Sequence, residues 1–137
     1  MILDVIQTQR TRMDIPELIN VDCKDHGVKT LPYSTTNCSA ADIGRFRAKL
    51  ETCWPEYWQS LLRVTGQMAE DVQGIYDFDA SFESHKFEIE IDDFDFSPGV
   101  EYVSFRVEFH DSESQVMCPV FDTSFHGFEV NHNQPVF

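Results

Sequence analysis

The stretch Lys86–His110, KFEIEIDDFDFSPGVEYVSFRVEFH, decides the fold class. In its first seven residues Phe87, Ile89 and Ile91 alternate with Glu88, Glu90 and Asp92. A period of two marks a strand with one face in a core and the other in water. In YVSFRVEFH the inward set is Val103, Phe105, Val107 and Phe109, against Ser104, Arg106, Glu108 and His110. Between the two runs Phe94 and Phe96 fall out of phase with Phe87, Ile89 and Ile91, so a bulge or turn near Asp92 and Asp93 must reset the register. Ser97-Pro98-Gly99 then supplies the turn of an antiparallel hairpin.

Working outward, further strands are expected at about 75–82, 116–121 and 126–131, with the polar DSESQ run as a turn and Pro119 suited to an edge or bulge. The opening ILDVIQ can form another strand, whereas 20–38, rich in Thr, Asn, Ser and Gly, reads as loop. Ser39 followed by Asp42 looks like a helix start, because a Ser oxygen can accept a free backbone N–H and a first-turn carboxylate suits the helix dipole. Ile43, Phe46 and Leu50 then share a face. Pro55 is expected to divide the helical region into about 40–53 and 55–65. The second piece carries Trp58, Leu61, Leu62 and Thr65, with Gly66 placed to stop it. The sum is a single α+β domain over 1–137, two helices from the N-terminal half packed on an antiparallel sheet of about four to six strands.

The chain has 137 residues, 24 Asp and Glu against 10 Lys and Arg, and a net charge of -14. With 12 Phe and 42% hydrophobic residues it has the material for a core, unlike an acidic disordered chain. The charge is one-sided. Residues 1–68 hold eight acids and eight bases, while residues 69–137 hold sixteen acids against Lys86 and Arg106. Such a chain repels phosphate backbones and anionic lipid, so neither nucleic acid nor membrane is an expected partner, and a basic protein is. The N-terminus lacks the basic segment and long apolar run of a signal peptide, and no run has the roughly 18 apolar residues of a membrane helix. A cytoplasmic location is expected, with Cys23, Cys38, Cys53 and Cys118 as thiols, since no CxxC pair is present.

Catalytic patterns are weak. Asp93, Asp95 and Ser97 imitate the start of a calcium loop, but Pro98 stands where glycine is required and Ser104 where a bidentate Glu belongs. Asp22-Cys23-Lys24 has the D-x-K form of a nuclease element, in a loop-like segment. His126, Glu129 and His132 are spaced by three, helical spacing in a segment read as strand, where they would alternate faces. There is no HExxH, GxSxG or phosphate-binding glycine loop. The expectation is no enzyme, no cofactor and no metal.

Dense uncompensated acids cost stability by self-repulsion, and a basic partner offsets that cost. The candidate binding residues are Asp77, Asp79, Glu83, Glu88, Glu90, Asp92, Asp93, Asp95, Glu101 and Glu108. Tyr76, Phe78, Phe82 and Phe94 are candidate aromatic anchors for which core packing is the alternative. In its size, its acidity and the stretches IYDFDASFE (75–83) and KFEIEIDDFDF (86–96), the chain resembles the small cytosolic immunity proteins that neutralise bacterial nuclease toxins. The resemblance implies a bacterial inhibitor, a monomer before complex formation, whose acids occupy the basic active-site cleft of a toxin. It transfers no individual binding residue. An acidic secretion-type chaperone, which would dimerise around an apolar groove, is the alternative, and a small metal-dependent enzyme the third.

Overall fold

A computed structural model describes residues 17–71, Phe82, 86–110 and 120–136. The expected strand at ILDVIQ, nearly all of that at 75–82, the DSESQ turn, Pro119 and Cys118 lie outside these residues. Among the described residues there are six strands and one long helix: β1 (Glu17–Asp22), β2 (Val28–Tyr33), α1 (Ala40–Asp71), β3 (Lys86–Asp95), β4 (Tyr102–His110), β5 (Val120–His126) and β6 (Glu129–Val136). The architecture is α+β. β1 and β2 make an antiparallel ribbon, and β3 to β6 make a four-stranded antiparallel meander in the order β3-β4-β5-β6.

The hairpin pattern holds in detail. Phe87, Ile89 and Ile91 are buried from β3, as are Val103, Phe105, Val107 and Phe109 from β4. The register shifts between Ile91 and Asp93, which returns Phe94 to the core opposite Val103. The turn is closed by the Val100 N–H donating to the Ser97 carbonyl at 2.8 Å. Pro98 followed by Gly99 at φ 83° fits a type II turn, whose third position demands a left-handed residue. Ser104 departs from the alternation: it is buried although it points to the outer face, across from Ser124.

The expectation of loop over 20–38 holds at 34–38 and is overturned over most of 20–33. Ile19 and Val21 of β1 and Leu31 and Tyr33 of β2 face the core, and a 3-10 turn at Lys24–His26 joins the strands. Each strand has only two fully apolar core residues, too short a run for the alternation to stand out beside its polar neighbours. The outer strands also lie later than expected, at Val120–His126 and Glu129–Val136.

The expected pair of helices is likewise overturned, because α1 runs unbroken through Pro55 and past Gly66. Proline in a helix interior costs about 3 kcal/mol through a lost hydrogen bond and a clash with the carbonyl four residues back. Here that carbonyl belongs to Glu51, which is exposed like Pro55, so water can serve it. On the opposite side Phe46, Leu50, Trp54, Tyr57, Trp58, Leu61 and Met68 form one buried stripe. Trp54 and Trp58 alone remove ~200 Å² each from water, about 5 kcal/mol each as an upper figure, which exceeds the proline penalty. Packing therefore decides where local propensity points the other way. Ser39 caps the helix as expected, its Oγ accepting the Asp42 N–H at 3.1 Å.

α1 packs on both sheets at once. Phe46 stacks on Phe94 with centroids 4.0 Å apart, and Trp58 stacks on Phe87 at 5.9 Å. Arg47 Nη1 donates to the Leu18 carbonyl at 3.1 Å, and Trp54 Nε1 donates to the Asp22 carbonyl at 2.9 Å, fastening the ribbon to the helix. β2 lies beside β3 and runs parallel to it, with Lys29 at Phe87 and Tyr33 at Phe94. No ladder joins the two strands. Pro32 can donate no hydrogen bond, as suits a strand with one unpaired edge.

Gly66 lies in the helix interior with open space where a Cβ would stand. Gly66→Ala is expected to stabilise the protein by about 1 kcal/mol, raising Tm by roughly 3–5 °C in thermal denaturation. A lower Tm would show that the helix does not continue through this position.

Candidate protein-binding face

Strand alternation sends Glu88 and Glu90 to the outer face of the meander, away from α1. The irregularity after Ile91 leaves Asp92 and Asp93 both exposed, and Asp95 follows on the outer side once Phe94 has turned in. Glu108 joins them from β4, directly opposite Glu88. One row lower, Glu90, Arg106 and Asp122 stand side by side on β3, β4 and β5. Arg106 makes a fork to Asp122, Nε to Oδ1 at 2.8 Å and Nη2 to Oδ2 at 3.0 Å, and its Nη1 lies 4.0 Å from Glu90. The hydrogen bonds it donates to Asp122 push the Arg106 pKa further up. Among the described residues, Glu88, Asp92, Asp93, Asp95 and Glu108 have no Lys or Arg within ion-pair distance.

At one end of the face Glu88, Glu108 and His110 offer ligand atoms within 4.8 Å of one another, and this is the group among the described residues with the donor set for a divalent ion. His110 Nε2 is 3.5 Å from Glu88 Oε2. At the other end Asp92, Asp93 and Asp95 meet Asp42 and the 34–38 segment around a concavity of about 570 Å³. Asp95 accepts hydrogen bonds from the Ser97 N–H at 3.0 Å and Oγ at 2.7 Å, and these hold its carboxyl below the usual range. Asp93 accepts the Phe94 N–H at 2.9 Å, and Asp42 pairs with Arg45. Cys38 lines the same concavity. Its thiol pKa is raised, first by burial and then by Asp42, Asp93 and Asp95.

A second hollow, of about 730 Å³, lies where the ribbon meets the outer side of β3. Its lining includes Leu18, Val28 and Pro32 from the ribbon and Glu88, Glu90 and Glu108 from the meander. Leu18 and Val28 are 56% and 69% exposed.

The structure thus gathers Glu88, Glu90, Asp92, Asp93, Asp95 and Glu108 on one face. Two candidates fall elsewhere. Glu101 sits beside α1, 3.3 Å from Lys49, because the turn at Ser97 swings the chain toward the helix before β4 begins. Phe94 is core, stacked on Phe46, because the bulge turns it inward. Phe82 is partly buried against Trp58, Phe87 and Phe109. Asp77, Asp79, Glu83, Tyr76 and Phe78 lie outside the described residues. Asp122, Leu18 and Val28 escaped notice because their place depends on strand pairing that no local pattern reveals.

The weaker motifs resolve structurally. Asp22 Oδ1 accepts the Lys24 N–H at 2.8 Å within a turn, and burial raises the intervening Cys23 thiol to about 11. His126 pairs with Glu129 while His132 stands opposite Ser124, so the three do not converge. No described helix is long and apolar enough to cross a membrane. No family model, curated protein or solved structure matches the chain.

A raised thiol pKa leaves less thiolate at a given alkaline pH. Asp93→Asn with Asp95→Asn is expected to lower the Cys38 pKa and speed its alkylation by iodoacetamide at pH 8 by severalfold, followed at the peptide level by mass spectrometry. Unchanged Cys38 kinetics would place these carboxylates too far away to act on the thiol.

Proposed function

We propose that this protein binds and neutralises a basic protein, in the manner of an immunity protein that covers the active-site cleft of a nuclease toxin. The observation that carries this reading is the set Glu88, Asp92, Asp93, Asp95 and Glu108, exposed on one face with no Lys or Arg ion pair among the described residues. Arg106 is already committed to Asp122. Adjacent exposed carboxylates on paired strands repel one another, and a cationic partner removes that repulsion on docking.

A cleft that accepts a phosphate backbone is lined by Lys and Arg, so a row of carboxylates along β3, which spans about 30 Å, presents it with complementary charge. Long-range attraction would bring encounter rates toward ~10⁸ M⁻¹s⁻¹ at low salt. Occlusion requires no chemistry from the inhibitor. The carboxylates are all exposed to solvent, which favours binding over catalysis.

The test takes as partner the product of the neighbouring reading frame, which this reading expects to carry a basic domain. Association measured by interferometry should slow at least tenfold between 50 and 500 mM NaCl. Combined reversal of Glu88, Glu90, Asp93 and Asp95 to Lys should weaken affinity by more than 100-fold while circular dichroism stays unchanged. Unaltered affinity in the reversed variant would sink the assignment of this face.

A further inference from the structure

The seam between β2 and β3 has a use that the charged face alone does not explain. The two strands run side by side without a ladder, and on the outer side their sheets diverge to leave the groove of about 730 Å³. Its ribbon wall is aliphatic, made by Leu18, Val28 and Pro32. Its meander wall carries the three carboxylates Glu88, Glu90 and Glu108; Arg106, also in the lining, is held by Asp122, and Lys86 and His110 stand at one end. Leu18, Val28 and Phe128 are the large exposed hydrophobic residues among those described, and two of the three line this groove. Lys29, which also lines the groove, is drawn down to the seam, where Nζ donates to the Phe87 carbonyl at 3.2 Å and lies 4.4 Å from the centre of the Phe87 ring.

A trough with one aliphatic wall and one on which carboxylates outnumber free cations selects its occupant. An extended segment projects successive side chains to opposite sides, so a chain that alternates aliphatic and cationic residues would satisfy both walls together. A purely cationic segment would leave Leu18 and Val28 in water, and a purely aliphatic one would desolvate the carboxylates without pairing them. The stretch Lys86–Glu90 alongside the groove sets its length at about 16 Å, or roughly five extended residues. We propose that this groove holds an extended segment of the basic partner in which Lys or Arg alternates with Val, Ile or Leu. This rests on the reading of the acidic face as a protein-binding surface, and adds to it a location and a pattern.

The test uses two fluorescent peptides and the whole protein at 150 mM NaCl, read by anisotropy. One peptide has three Lys-Val repeats and the other three Lys-Ser repeats, equal in charge and length. The Lys-Val peptide is expected to bind at least tenfold more tightly. Val28→Asp and Leu18→Asp, and the milder Val28→Ser and Leu18→Ser, should bring it down to the Lys-Ser level. These side chains are exposed, and circular dichroism will verify that each variant is folded. Equal binding of the two peptides, no binding of either, or an undiminished Lys-Val preference in folded ribbon variants would overturn the proposal. Equal binding that disappears when Glu88, Glu90, Asp93 and Asp95 are reversed would overturn the groove while leaving the charged face intact.

Discussion

One helix holds together two sheets that share no ladder, and the rest of the molecule depends on that arrangement. Its buried stripe must stay continuous from Phe46 to Met68, because ribbon and meander both pack along it: Phe46 meets Tyr33 and Phe94, and Trp58 meets His26 and Phe87. The requirement is strong enough to carry the helix through Pro55. It also consumes the inner faces of both sheets, so recognition is left to the outer faces and to the seam. The polar contacts to Leu18, Asp22 and Phe87 carbonyls are local fastenings. Each is worth about 1 kcal/mol, small beside the aromatic packing they accompany.

Where core alternation ran long, the sequence was easy to read. Three in-phase apolar residues defined β3 and four defined β4, while the phase slip at Phe94 disclosed the bulge. β1 and β2 were hidden because two inward residues in six do not rise above their polar surroundings. Pro55 and Gly66 carried genuine local signals for a helix boundary, and tertiary burial outweighed both. The outward acids of β3 followed from the same alternation. Glu101 could not be placed that way, since its position depends on the direction in which the chain leaves the Ser97 turn.

The distribution of charge is also more discriminating than the net figure. Arg106 answers Asp122 and approaches Glu90, so the middle of the outer face is partly neutral and the unanswered carboxylates lie toward its two ends. The N-terminal half, whose own charges cancel, does more than cover the sheet. It contributes Asp42 to the concavity at the bulge and the aliphatic wall of the groove.

The missing ladder between β2 and β3 has an evolutionary consequence. In a continuous sheet, altering one wall of a binding trough disturbs strand pairing that the opposite wall shares. Here the aliphatic wall is registered only within the ribbon and the anionic wall only within the meander. Each can accumulate substitutions at its exposed positions without shifting the register of the other. A chain built this way can change the partner it prefers one wall at a time.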